Sequence, residues 1–242
     1  MNNKKLRILC ASAWWVLLLL NGCSVYSPAI QSPVITEKQG QIQIDGNASV
    51  SSELLFPPGA HGSLAYGITD NTSLQLSANM KLFHYTEIGI SLGNYFINES
   101  KFRLGFFPGY SYGEVDYTDM NGDIMNGASH EDNWSGNYQN IYINLQSLFN
   151  LKIITLGVGA KTGLYFPDLM NNNRIENKKA IITQPTLYIK PNLKYDRFIC
   201  ALTVSYLSLN TVDGFRNYND MHNYFYNPFT IAFGFGFKFD TL

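Results

Sequence analysis

The chain has 242 residues, 14% of them charged and 14% aromatic, with Tyr and Phe each occurring 16 times and a net charge of −1. A typical globular protein carries about 25% charged residues, and a nucleic-acid-binding surface needs an excess of cations. The composition therefore fits neither a soluble domain nor a nucleic-acid binder, and no nucleic-acid partner is expected. Cysteine is also scarce: Cys10, Cys23 and Cys200 are the three present.

The first residues read as an export segment. Lys4, Lys5 and Arg7 form a basic head, and Ile8 to Leu20 form an apolar run containing Trp14, Trp15 and four successive leucines. That run is shorter than the ~20 residues a helix needs to cross a bilayer, so it matches a signal peptide and not a membrane span. It ends in Leu20-Asn21-Gly22-Cys23, which resembles the lipobox of bacterial lipoproteins. The resemblance implies cleavage after Gly22 and a covalent lipid on Cys23. Three of the 17 basic residues and none of the 18 acidic ones precede Cys23, so the remainder holds 14 against 18, a net charge of −4. Cys10 would leave with the signal and Cys23 would carry lipid, so Cys200 has no disulfide partner. Three segments are expected: a signal peptide over 1–22, a lipidated tether over 23–38, and a β-barrel over 39–242. The tether is read from Ser27 to Pro33, where two prolines disfavour both helix and strand.

From Gln39 onward the apolar period is two. Ten strands are predicted near 39–50, 61–69, 72–82, 85–96, 101–117, 137–149, 151–166, 184–195, 197–209 and 228–240, with eight as the alternative count. The last shows the pattern best. Phe229, Ile231, Phe233, Phe235, Phe237 and Phe239 share one face, and Thr230, Ala232, Gly234, Gly236, Lys238 and Asp240 the other. Leu74, Leu76, Ala78, Met80 and Leu82 alternate in the same way with Ser73, Gln75, Ser77, Asn79 and Lys81. A two-sheet sandwich also alternates, but its outer face is normally charged. Here the face opposite the large apolar side chains is glycine and small polar residues. That favours an all-β, single antiparallel up-and-down transmembrane barrel, with lipid outside and a crowded lumen.

Connections point the same way. Tight turns are predicted at Asp70-Asn71, Asn98-Glu99-Ser100, Asn150 and Asp196, with long loops at 51–60, 118–136, 167–183 and 210–227 on the other side. Short turns on one side and long loops on the other is the outer-membrane arrangement, turns towards the periplasm. Gly234, Phe237 and Phe239 resemble the C-terminal recognition signal of outer-membrane barrels, although Ala232 stands where that signal has a polar residue. The Asn- and Tyr-rich loops resemble those of small Bacteroidetes outer-membrane proteins. The expected location is the outer membrane, lipid-anchored and barrel-inserted, with the long loops outside. The expected partners are the bilayer, the lipid on Cys23 and an envelope protein.

Projected inward, the alternation gives Lys81, Glu87, Arg103, Lys161, Lys190, Lys194 and Lys238 as lumen charges, with Asp45, Gln75, Asn79, Asn144 and Gln146 among them. Either this is a weakly anion-attracting interior, or the side chains simply fill a narrow barrel and Glu87 pairs with Arg103 or Lys81. A loop cluster of Asp116, Asp119, Asp123, His130, Glu131 and Asp132 contains Asp119-Met120-Asn121-Gly122-Asp123, which spaces oxygens around a glycine without the glutamate a calcium loop needs. Omptin proteases carry Asp pairs and an Asp–His pair at the rim. Asp220 with His222, near Asp213, is the nearest counterpart, without that family's local motifs. The four histidines, His61, His84, His130 and His222, are read at outer strand ends or in loops. No catalytic, metal or cofactor site is expected. The roles left open are a surface or assembly protein, a small pore or lipid channel, and a rim hydrolase.

Overall fold

The computed structural model describes residues 36, 38–51, 59–81, 85–123, 128–171, 174–177, 179–192, 197–206, 208–211 and 229–240. These form twelve strands: β1 (Gln41–Ser51), β2 (Gly59–Gly67), β3 (Thr72–Lys81), β4 (Tyr85–Asn98), β5 (Phe102–Asp123), β6 (Ala128–Asn150), β7 (Ile154–Asn171), β8 (Arg174–Glu176), β9 (Ala180–Pro191), β10 (Phe198–Tyr206), β11 (Ser208–Thr211) and β12 (Phe229–Asp240). All pairings are antiparallel, and β12 returns to β1 in a ladder from Gln41 opposite Asp240 to Ser51 opposite Thr230. β8 pairs with the tip of β7, in line with β9, and β11 continues β10 along β9. The sheet is therefore a closed barrel of ten staves. The eight-stranded alternative is excluded, and closure leaves no edge to template aggregation.

The two faces differ as lipid and lumen should. Ile44, Leu64, Leu76, Ile90, Ile143, Val158, Phe233 and Phe235 are all exposed, Phe233 at 58% and Phe235 at 59%. Gln43, Asp45, Gln75, Asn79, Asn144 and Gln146, on the alternate positions of the same staves, are buried. A water-soluble sandwich has the reverse polarity. Exposed aromatics, among them Tyr66, Phe96, Phe149 and Phe239, gather near the turn end as an interfacial girdle does. The architecture is a transmembrane β-barrel. Among the described residues, no helix is long and apolar enough to cross a membrane.

At the turn end the asparagines join one turn to the next. Thr69 Oγ1 accepts from the amides of Asn71 and Thr72. Asn98 Nδ2 donates to Asp70 O and Asn71 Oδ1, Asn150 Nδ2 to Ser100 O, and Asn192 Nδ2 to Leu151 O at 2.6 Å. Thr36 and Gly40 dock at this same end. Thr36 is buried with its hydroxyl hydrogen-bonded to Ser73 Oγ, and Gly40 N donates to Gly67 O.

The far end corrects two expectations. The predicted loop over 118–136 is largely strand, since β5 and β6 stay paired from Phe102 opposite Phe149 to Asp123 opposite Ala128. A stave needs about 9–11 residues to cross the hydrocarbon, so strands of 22 and 23 residues carry a β-hairpin well beyond it. Asp119 to Asp123 is extended strand, not a calcium-type loop. The expected loop over 167–183 likewise contains the end of β7, β8 and the start of β9.

Candidate functional site

The lumen is where side chains of several staves meet, and aromatic rings fill it. Tyr95, Phe107, Tyr138, Tyr142, Tyr165 and Tyr188 are each at most 2% exposed and point inward from β4, β5, β6, β7 and β9. Glycine on the neighbouring stave makes room for them. Gly113 lies opposite Tyr138, Gly109 and Gly163 flank Tyr142, and Gly157 lies opposite Tyr188. A Cβ on Gly109 would sit 2.5 Å from the Tyr142 ring, and one on Gly105 2.8 Å from Tyr95, closer than real Cβ contacts. Tyr95 meets Phe107 edge-on at 5.3 Å between centroids, and Tyr138 lies 5.2 Å from Tyr165.

Polar groups fit between the rings. Tyr138 Oη donates to Glu87 Oε2 at 2.9 Å, and Lys161 Nζ lies 4.1 Å from the centre of the Tyr142 ring. Glu87 and Lys161 also interact through their charges. Asp45 accepts from Gln43 Nε2 at 2.6 Å and from Ser63 Oγ at 3.2 Å, and it faces the charge of Lys190. Gln184 Nε2 donates to Ser205 Oγ. These contacts hold buried charges against opposite charge or a hydrogen bond, which a low-dielectric lumen demands.

Of the sequence-derived lumen candidates, Glu87, Lys161, Lys190 and Lys238 are buried inside, as are Asp45, Gln75, Asn79, Asn144 and Gln146; Arg103 is half-buried. Lys81 ends β3 opposite Gly59 and Tyr85. Lys194 lies outside the described residues. One pairing is corrected. Glu87 stands opposite Gly113, while Arg103 begins the same stave ten residues away, about 33 Å along a strand. Among the described side chains, Tyr138 and Lys161 meet Glu87.

His61 keeps the strand-end place expected of it but turns inward. It is the third residue of β2, 4% exposed, opposite Asn47 and Asn79, and among the described residues no hydrogen-bond partner meets either ring nitrogen. The tyrosines were not among the sequence candidates either. Their signal was present, since Tyr138 and Tyr142 share the parity of Asn144 and Gln146, and Gly109 and Gly113 repeat the same spacing of four. Of the loop cluster, Asp116 is exposed on β5, and the hairpin ladder sets Asp119 opposite Asp132, Met120 opposite Glu131 and Asn121 opposite His130. His84, Asp213, Asp220 and His222 lie outside the described residues, as does Cys23. Among the described residues, no three His, Cys, Asp or Glu side chains are grouped to hold a metal ion.

The class defined by this geometry is a ten-stave transmembrane β-barrel with a packed interior. Solved structures similar to it are bacterial barrels. The outer-membrane protease OmpT of Escherichia coli matches with a TM-score of 0.49 at 10% identity, over 84% of this chain and 94% of that one. The translocator domain of autotransporter NalP from Neisseria meningitidis gives 0.42 at 12% identity, over 82% and 86%. The N-terminal β-barrel domain of Pseudomonas aeruginosa OprF gives 0.33 at 14% identity, over 83% and 98%. No family model and no curated protein sequence matches the chain.

Proposed function

We propose that the chain is an outer-membrane lipoprotein whose barrel is a closed, non-enzymatic anchor, presenting the β5–β6 hairpin at the cell surface to an envelope partner. The observation that carries this reading is the lumen. Six buried rings interlocked with glycines fill the middle of the lumen, which favours a plugged barrel over an open pore. Function is then left to the outside of the barrel, where the paired staves extend furthest. The lipid is assigned to Cys23 from the Leu20–Cys23 match. Thr36 supports the geometry, because its docking beside Ser73 brings the tether in at the turn end. Lipid and short turns therefore share the periplasmic side.

Protease treatment of intact cells tests the display. Cleavage confined to 118–133, leaving a resistant barrel, is expected. Cleavage there only after the outer membrane is opened would turn the barrel over. Feeding cells a tagged fatty acid tests the anchor. The label is expected on the wild type and lost in Cys23→Ala, and its persistence in the variant would refute lipidation at that residue.

A further inference from the structure

The turn-side mouth gathers positive charge. A cavity of about 450 Å³ opens there, and Lys101, Arg103, Lys152, Lys190 and Lys238 line it from two turns and three staves. Lys190 and Lys238 are buried while Lys101 and Lys152 are exposed, so the charge runs from the rim inward. Among the described residues no carboxylate lines the cavity. Asp45 faces Lys190 from deeper in the barrel, Asp240 is engaged by Gln41 Nε2 at 3.0 Å, and Glu99 is exposed on the turn before Lys101. Five cations therefore line the cavity, and the lining residues among those described include no carboxylate.

We propose that this mouth is a binding site for a small organic anion carrying two or more phosphate or carboxylate groups. The volume falls in the ~300–1,000 Å³ range of small-molecule sites. Flexible lysines and one arginine fork suit clustered anionic oxygens. Asn192 and Thr155 add polar groups, while Phe102 and Leu151 add an apolar wall for the organic part. Charges of one sign on low-dielectric walls also concentrate the field and draw an anion in. Such a molecule is either free in solution or a phospholipid headgroup at the membrane surface, and both present the same chemistry.

The test is calorimetric titration of the full processed chain in zwitterionic micelles with inorganic pyrophosphate and with citrate. Saturable 1:1 binding is expected, weakened as ionic strength rises from about 0.05 to about 0.5 M. Lys101→Ala/Lys152→Ala should weaken it about tenfold. Lys38→Ala/Lys179→Ala removes the same charge from exposed positions that do not line the cavity, and should leave it unchanged. Lys238→Met, if its heat-shifted gel mobility shows a folded barrel, should abolish saturation. If it does not fold, the turn variants carry the test alone. Mixed micelles containing phosphatidylglycerol distinguish the sources: loss of pyrophosphate binding there identifies a headgroup site, and retention identifies a soluble anion. Absence of saturation, or equal weakening by both double variants, overturns the proposal.

Discussion

The two walls of the lumen fill the same space by different means. From β4 to β9 the inward positions carry the large rings, with glycine beside them on the same stave, as in Gly105, Phe107 and Gly109, or on the neighbouring one, as at Tyr138 and Tyr142. From β12 through β3 they are mostly amides, hydroxyls and small residues, among them Gln43, Asn47, Ser63, Ser73, Gln75, Ala232 and Gly234, with His61, Asp45 and Lys238. The ring wall locks by shape, and the amide wall by hydrogen bonds. A closed barrel therefore does not need an apolar plug. Here one wall reaches inward with rings, and the opposite wall of smaller polar side chains leaves room for them.

The largest difference between the walls should come from truncation. Tyr142→Ala removes a ring held between two glycines and should cost about 3–5 kcal/mol. Gln75→Ala, across the lumen, should cost about 1 kcal/mol, the worth of a hydrogen bond. Urea unfolding in vesicles, followed by tryptophan fluorescence, measures both. Equal losses would mean that the rings are not the main packing element.

The outer face is the reference on which both walls should agree. Phe233 points into lipid from β12, so Phe233→Arg should destabilise by about 2–4 kcal/mol relative to Phe233→Leu. Heat-modifiable gel mobility and refolding yield report it. Equal behaviour of the two variants would put that face in water.

Smaller effects sharpen the contrast at glycine. Gly109→Ala drives a methyl into the Tyr142 ring and should cost about 1–3 kcal/mol. At Gly234 the nearest atom to an added Cβ is 3.4 Å away, so Gly234→Ala should change stability by less than about 0.5 kcal/mol. Between these two lies Tyr138→Phe, which removes the donor to Glu87 and leaves the ring. A loss of about 1–2 kcal/mol is expected, restored in part by Tyr138→Phe combined with Glu87→Gln.

Much of this was legible in the sequence because strand alternation assigns every second residue to one face. Phe229 to Asp240 alone shows which face meets lipid, and the Asp70-Asn71 and Asn98–Ser100 turns count the staves. The hairpin was not legible. Its Asp, Asn and Gly residues are those of a loop, and only the register carried up from Phe102 opposite Phe149 keeps them paired. The tyrosine wall was missed because charges and amides announce a lumen while a tyrosine suits either face. Its contacts appear only when the hairpin register puts Gly109 and Gly113 against Tyr142 and Tyr138. The burial of His61 was missed because it stands near the start of a strand, where chain position alone does not show which way the ring turns.

The closed lumen is tested most directly by conductance across a planar bilayer. The wild type inserted at single-molecule level should stay electrically silent, and the combined Tyr142→Gly/Tyr165→Gly variant should open measurable steps. Stable ohmic conductance from the wild type, unchanged when those rings are removed, would contradict the account and make the barrel a pore.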